Sequence, residues 1–178
     1  MPQPLAYFIT FTAYGVWLHG REIGSVDKQH NEPGTPFLPP DPIQEAQMRA
    51  NMRETAYILD THRRQIILKT IQEVAMHRKW HLLACHIRTT HVHVVVTADT
   101  NPEKVMSDFK AYASRRLKEQ LGEAADCKRW TQHGSTRYLW NEESVAAAVA
   151  YTLHGQGEPL DVFDGRSGPS FFADASGS

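Results

Sequence analysis

Residues 89–97 read Thr-Thr-His-Val-His-Val-Val-Val-Thr, and the rest of the chain is best understood outward from them. β-Branched residues dominate the stretch and neither Gly nor Pro interrupts it, which predicts a β-strand after a short turn. Side chains on a strand alternate between its two faces. One face carries a core stripe made of Val92, Val94, Val96 and Ala98. The other face begins with His91 and His93, two imidazoles close enough to hold one metal ion. The competing interpretation is that both histidines simply lie in solvent.

The composition is that of a single globular domain. The chain has 178 residues, of which 41% are apolar and 22% charged, enough for a sizeable core. Its formal net charge is −1, so a nucleic-acid partner would have to be held by a local basic patch. The two cysteines do not make a disulfide framework. Because there is neither a long apolar run nor an apolar signal segment, we expect a cytoplasmic protein with no membrane partner.

Strand and helix signals follow one another in the order strand, helix, strand, strand, helix, strand, helix. Strands are predicted over residues 5–12, 80–88, 91–97 and 135–140, and long helices over 60–79, 102–121 and 145–154. A short helix is predicted over residues 43–54, and residues 122–134 are expected to be irregular. One antiparallel sheet with helices on it, in split β-α-β style, indicates an α+β ferredoxin-like domain.

This domain is predicted to span residues 1–157. A polar loop rich in Pro and Gly interrupts it over residues 20–42, and a loop of that length usually has a function or covers a sheet edge. The residues that follow the domain are rich in Gly, Ser, Pro and Asp. We therefore expect residues 158–178 to form a partly disordered tail.

The predicted helix over residues 102–121 combines an apolar stripe with a group of cations. The stripe consists of Val105, Phe109, Ala113 and Leu117, each four residues from the next. The candidates for phosphate contacts are Lys110, Arg115 and Arg116 on this helix and Arg137 on the last strand. The alternative for these cations is an ordinary solvated surface. Three aromatic side chains could stack on unpaired bases or pack in the core, those of Trp130, Tyr138 and Trp140.

Taken together, the motifs of this chain resemble those of a known family. His-Val-His on a central strand is followed by a helix reading Asp108-Phe-Lys-Ala-Tyr-Ala-Ser-Arg-Arg-Leu117, then by Trp130-Thr-Gln-His-Gly-Ser-Thr-Arg-Tyr-Leu-Trp140, and then by a helix carrying Tyr151. Over residues 4–157 the chain resembles the single-tyrosine HUH transposases, which include insertion-sequence transposases and their REP-associated relatives. The resemblance implies cleavage and rejoining of single-stranded or hairpin DNA through a 5′-phosphotyrosine intermediate, assisted by Mg²⁺ or Mn²⁺.

The resemblance also assigns roles to individual residues. His91 and His93 match the metal-binding pair, and Tyr151 matches the nucleophile. The family places a third ligand, usually an amide, one helical turn after that tyrosine, where this chain has Gly155 instead. We favour Gln156 as the third ligand, because a helix that ends at Gly155 can return the following side chain toward the site.

The sequence leaves several alternatives open. His154 is the other candidate for the third ligand, and Tyr112 is the other candidate for the nucleophile. The chain could also be a non-catalytic nucleic-acid binder on an RRM-like sheet, or a metal hydrolase that acts on a small phosphoester. Related enzymes are homodimers in the insertion-sequence branch and monomers in others, and the sequence does not decide between these states.

Overall fold

The computed structural model describes residues 2–15 and 56–167, so the loop over 20–42 and the short helix over 43–54 lie outside the described residues. Within these residues the strands are β1 (Ala6–Ala13), β2 (His81–Ile87), β3 (His91–Thr97), β4 (Trp130–Leu139) and β5 (Asp161–Asp164). They form one sheet in the order β4-β1-β3-β2-β5, and all neighbouring strands run antiparallel. The predicted α+β class with an antiparallel ferredoxin-like sheet is confirmed.

The helices of the described part of the chain are α1 (Thr61–Arg78), α2 (Pro102–Leu121) and α3 (Glu142–His154). Each begins after a residue whose side chain accepts the backbone N–H three positions further on, namely Asp60, Asn101 and Asn141. Such caps satisfy one of the N–H groups that the first turn leaves without a helical partner. None of these helices is long and apolar enough to cross a membrane.

The helices are divided between the two faces of the sheet. α1 and α2 pack on one face, where the predicted stripe of α2 is fully buried against the core valines of β3. α3 packs on the other face, against the side of β3 that carries Val95. Because side chains alternate along a strand, His91 and His93 share this second face. The histidine pair therefore lies on the side of the sheet that α3 covers.

β4 begins earlier than predicted, at Trp130 instead of Ser135. The prediction of an irregular stretch over residues 122–134 is therefore wrong for residues 130–134. Polar residues dominate this first part of the strand, which lies at the edge of the sheet. A register shift between Phe11 and Ala13 of β1 also interrupts the regular pairing there. An edge strand with an irregularity does not need the apolar alternation by which strands are predicted.

β5 is a strand that the sequence analysis did not predict, because residues 158–178 read as a tail. It pairs with β2, and Val162 and Phe163 pack against the apolar clusters on the two faces of the sheet. Arg64 of α1 donates to Asp161 over 2.7 Å, which ties the strand to the helix layer. β5 has four residues, too few to show the alternation of apolar and polar side chains that predicts a strand. Its formation therefore depends on pairing with β2 more than on its own sequence.

A partly buried ion-pair network at Glu123 joins the ends of several elements. Its carboxylate accepts hydrogen bonds from Tyr57 Oη at 2.7 and 2.9 Å, from Arg63 Nε at 3.1 Å and from Arg129 Nε at 2.8 Å. Burial by itself raises the pKa of Glu123, but the hydrogen bonds and positive charges of these partners outweigh it. The pKa therefore lies below its ordinary value.

We expect Glu123→Gln to lower the free energy of unfolding at pH 7 by about 3 kcal/mol, because Arg129 is then buried without its counter-charge. A carboxylate whose folded pKa is depressed stabilises the fold above its unfolded pKa, and this stabilisation is lost as the pH falls through the folded value. The difference between wild type and variant should therefore shrink below about pH 4.5. Urea unfolding at pH 7 and in acid measures it. A difference that stays constant with pH would contradict this role of Glu123.

Candidate active site

The two histidines of β3 lie side by side on the face that α3 covers. The ring centroids of His91 and His93 are 4.6 Å apart and their planes are perpendicular. His93 is only 6% exposed, so the interpretation of two histidines in solvent is wrong for this residue. Phe8 of β1 stacks on the His93 ring, with 5.8 Å between centroids and 17° between planes. The two histidines therefore lie beside an apolar aromatic ring, that of Phe8.

Threonine hydroxyls orient both imidazoles. His93 Nδ1 lies 2.9 Å from Thr10 Oγ1, and His91 Nδ1 lies 2.8 Å from Thr90 Oγ1. When Nδ1–H of His93 donates to Thr10, the tautomer of His93 is fixed and its Nε2 keeps a lone pair. Metal-ligating histidines are held in the same way, because a hydrogen bond at the second ring nitrogen orients the first.

Burial keeps both rings neutral. It lowers the pKa of His93 to about 2, and the positive charges of neighbouring histidines and of Arg88 add to this effect. Burial also lowers the pKa of His91, although a hydrogen bond with Gln156 acts in the opposite direction. A neutral imidazole is the form that binds a metal ion, so protons do not compete for these nitrogens near neutral pH.

Gln156 completes a set of three donors. Its Oε1 lies 3.4 Å from His91 Nε2, on the segment that follows α3. The Nε2 atoms of His93 and Gln156 are buried and lack a hydrogen-bond partner among the described residues. The unpaired imidazole nitrogen carries a lone pair that a divalent cation would satisfy, so these residues fit a metal site. Among the described residues, no group of three or more His, Cys, Asp or Glu side chains could hold a metal ion, and the third donor here is an amide.

The end of α3 accounts for the approach of Gln156 to the pair. A Cβ atom at Gly155 would lie 2.7 Å from Tyr151 Cδ2 and 2.9 Å from the Tyr151 carbonyl oxygen. A side chain is therefore disfavoured at the position one turn after the tyrosine, and the amide follows one residue later. His154, the alternative third ligand, is exposed, and its charge acts on Asp164 of β5.

Tyr151 lies next to the pair on α3. Its side chain is 48% exposed, and its ring lies 5.9 Å from the His93 ring and 6.0 Å from the Phe8 ring, nearly perpendicular to both. The buried face of α3, which includes Val149 and Leu153, packs on the sheet and leaves Tyr151 at the edge of that contact. A phenol ring in this position is accessible to a large substrate and lies beside the imidazole ring of His93.

Tyr112, the other candidate for the nucleophile, lies on the opposite face of the sheet. It packs against the core that α1 and α2 form with the sheet, and the guanidinium of Arg115 lies 5.3 Å from its ring centroid. The sheet therefore separates its phenol from the two histidines. Of the two tyrosines, the structure brings only Tyr151 next to the histidine pair.

Lys110, one of the predicted phosphate contacts, anchors α2 to β4. Its Nζ donates to the carbonyl oxygens of Thr131 and His133 at 3.0 and 3.2 Å. Burial lowers the pKa of Lys110 to about 8. A cation that is partly buried and bonded to two carbonyl groups is an internal anchor, and a phosphate would have to displace those bonds to reach it.

The three arginines among the predicted phosphate contacts occupy different faces. Arg115 and Arg116 lie on α2, where Arg116 pairs with Glu73 at 3.1 Å. Arg137 is exposed and stands directly opposite Phe8 in the pairing of β4 with β1, so its side chain shares the histidine face. Arg137 is therefore the one predicted contact that the sheet places on the same side as Tyr151.

Sequence reasoning missed the proximity of His86 and Arg88 to the pair. They lie two positions apart, on β2 and just after it, so both face the histidine side, and their charges lower the pKa of His91 and His93. Arg88 also donates to the carbonyl oxygen of Glu158 at 3.2 Å. The spacing of two is visible in the sequence, whereas the pairing of β2 with β3 is a tertiary feature.

Residues 48–148, more than half of the chain, match the family described as Transposase IS200 like. The chain belongs to the IS200-like transposases. The matched part of this transposase includes His91, His93 and all of α2, and it ends before Tyr151 and Gln156. The family match therefore includes the two histidines of the site. The proximity of Tyr151 and Gln156 to these histidines comes from the structure and not from the family match. No curated protein matches the chain.

Two solved structures are similar to this IS200-like transposase. One is a REP-associated tyrosine transposase bound to a REP hairpin; it is 11% identical, the match covers 87% of this chain and 67% of that chain, and the TM-score is 0.46. The other is a presumed transposase from Deinococcus radiodurans R1; it is 11% identical, the match covers 85% of this chain and 90% of that chain, and the TM-score is 0.47. At this identity the likeness concerns the fold alone.

Proposed function

We propose that this IS200-like transposase cleaves and rejoins single-stranded DNA, with Tyr151 as the nucleophile beside a divalent cation. His91, His93 and Gln156 would hold that cation. One observation carries the proposal: a half-exposed phenol ring lies 5.9 Å from a buried imidazole whose nitrogen lacks a partner among the described residues. An unpaired buried nitrogen destabilises a fold unless something binds it, so its position beside an accessible nucleophile favours a functional role.

The reaction is an exchange of one phosphodiester for another. The Tyr151 phenolate attacks the phosphorus, a bond forms between Oη and phosphorus, and the bond from phosphorus to the 3′ oxygen breaks. The departing 3′ oxygen takes up a proton, and the phenol proton is released to solvent. The products are a 5′-phosphotyrosine and a free 3′-OH. Because the two esters are similar in energy, attack by a 3′-OH reverses the step and rejoins DNA without ATP.

A phenol attacks phosphorus as the phenolate, so positive charge at the site would favour the reaction. Arg88 is a cation on the histidine side, where it lowers the pKa of His91 and His93. A divalent ion on the three donors would neutralise charge on the scissile phosphate, and both Mg²⁺ and Mn²⁺ are candidates, with two imidazoles making Mn²⁺ at least as suitable.

An exposed aromatic pair at the end of β4 suits a single-stranded substrate, although Tyr138 faces the side of the sheet opposite to Arg137 and Tyr151. Tyr138 and Trp140 are 47% and 54% exposed, and their rings stack with 5.7 Å between centroids and 26° between planes. Exposed aromatic faces bind unpaired bases by stacking, whereas duplex DNA keeps its bases stacked on each other. Trp130, by contrast, packs edge-on against Phe11 in the core and has no such role.

A labelled pool of single-stranded oligonucleotides of random sequence tests the proposed function. With Mn²⁺ or Mg²⁺ present, we expect a 3′ label to become covalently attached to the protein and a 5′ label to appear on a shorter free strand. A chelator should remove both products, and the same pool annealed as duplex should give neither. Sequencing the attached strands would identify the target.

Other outcomes of this experiment correspond to the other functions. Turnover of phosphoesters without a protein adduct would indicate a metal hydrolase. Binding that a chelator does not change, with no cleavage, would indicate a non-catalytic nucleic-acid binder on the same sheet. Either result would overturn the proposed transesterification.

A further inference from the structure

His86 lies between the sheet and the segment that carries Tyr151 and Gln156. It is 1% exposed, and it stands directly opposite His93 in the pairing of β2 with β3. Its Nδ1 lies 3.0 Å from the carbonyl oxygen of Thr152, and its Nε2 lies 3.1 Å from the backbone nitrogen of Leu160. One buried ring therefore contacts the chain on both sides of Gln156.

The partners of His86 fix its tautomer. A carbonyl oxygen can only accept, so Nδ1 carries the hydrogen that bonds to Thr152. A backbone N–H can only donate, so Nε2 accepts from Leu160. Both nitrogens of a neutral imidazole are used, and the geometry leaves neither for a metal ion.

These two hydrogen bonds attach the segment over residues 152–160 to His86 at both of its ends. Thr152 directly follows Tyr151, and its carbonyl belongs to the last turn of α3, where carbonyl groups lack a helical partner. Leu160 directly precedes β5, which begins at Asp161. The turn that holds Gln156 is thus attached at both ends to the strand beside His93.

We infer that His86 is a positioning residue that fixes the distance of Tyr151 and Gln156 from the histidine pair, an inference that rests on the proposed function. Its ring sets the distance from β2 to α3 on one side and to the start of β5 on the other. Loss of both bonds frees the last turn of α3 and the segment after it, and the nucleophile and the third donor move together.

Three substitutions separate the two bonds. His86→Leu removes both, His86→Asn keeps a donor near the position of Nδ1, and His86→Gln keeps an acceptor near the position of Nε2. Thr70→Val is the matched control. It removes another buried hydrogen bond, from Thr70 Oγ1 to the carbonyl oxygen of Ile66 at 2.7 Å, in α1 on the opposite face of the sheet.

Two of the measurements do not depend on catalysis. In metal-free protein with labelled tyrosine, we expect the Tyr151 ring signals of His86→Leu to move toward those of an exposed tyrosine, because the rings of Phe8 and His93 no longer shift them. Calorimetric titration with Mn²⁺ should show affinity weakened by about tenfold or more, as for other residues that orient metal ligands. Adduct formation should slow in parallel. Asn and Gln should each restore part of the loss, and Thr70→Val should change none of these readouts.

The inference is overturned if His86→Leu loses stability as Thr70→Val does and keeps wild-type tyrosine signals. If His86→Leu does not fold, the Asn and Gln variants decide: altered Tyr151 signals in either support the inference, and wild-type signals in both overturn it. A wild-type protein that forms no adduct would remove the proposed function, yet the ring signals would still report whether His86 positions Tyr151.

Discussion

Tyr151→Phe should abolish the covalent adduct with single-stranded DNA, whereas Tyr112→Phe should leave it at the wild-type level. The first change removes the attacking oxygen and keeps the ring, so the contacts with Phe8 and His93 persist. The second removes a hydroxyl that the sheet separates from the site. Loss of a covalent nucleophile lowers rates by about ten-thousand-fold or more, so residual adduct should fall below detection. Denaturing electrophoresis of the labelled oligonucleotide measures it.

Thermal unfolding of both variants provides the control, because each should melt close to the wild type. Loss of adduct in Tyr112→Phe with retention in Tyr151→Phe would place the nucleophile on α2 and contradict the assignment. Mixing Tyr151→Phe with His93→Ala tests whether one chain completes the site. Tyr151 lies beside His93 of its own chain, so the mixture should stay inactive. Restored activity would show that subunits of a homodimer exchange α3.

The features that the sequence predicts correctly are those that a single helix or strand determines by itself. The alternation over residues 91–97 assigns valines and histidines to the correct faces, because the period of a strand does not depend on its neighbours. The stripe of α2 is buried as its spacing predicts. The helices predicted over residues 60–79 and 102–121 agree with α1 and α2 to within one residue at each end, because helix ends depend on caps formed within a few residues.

The features that the sequence did not reveal depend on which elements become neighbours. Thr10 meets His93 only because β1 pairs with β3 in one particular register. Lys110 reads as a surface cation, since nothing in α2 indicates that the polar start of β4 supplies two carbonyl groups. The family resemblance assigns Tyr151 as the nucleophile, whereas the approach of its ring to His93 follows from the packing of α3 on the sheet.

His93→Ala should remove both the stabilisation by Mn²⁺ and the formation of the adduct. A ligand that binds only the folded state raises the free energy of unfolding, by about 2.7 kcal/mol when its concentration is about 100 times Kd. In the wild type, the melting temperature should therefore rise with Mn²⁺. The variant lacks the buried nitrogen that has no other partner among the described residues, so its melting temperature should not respond.

His62→Ala is the matched control for this prediction, because it removes an exposed imidazole from the start of α1, on the opposite face of the sheet. It should keep the full rise with Mn²⁺ and the full yield of adduct. His93→Gln supplies an amide in place of the imidazole and should recover part of the response. If His93→Ala still melts higher with Mn²⁺ by the wild-type increment, the cation binds elsewhere. The low pKa of His93 would then have no bearing on catalysis.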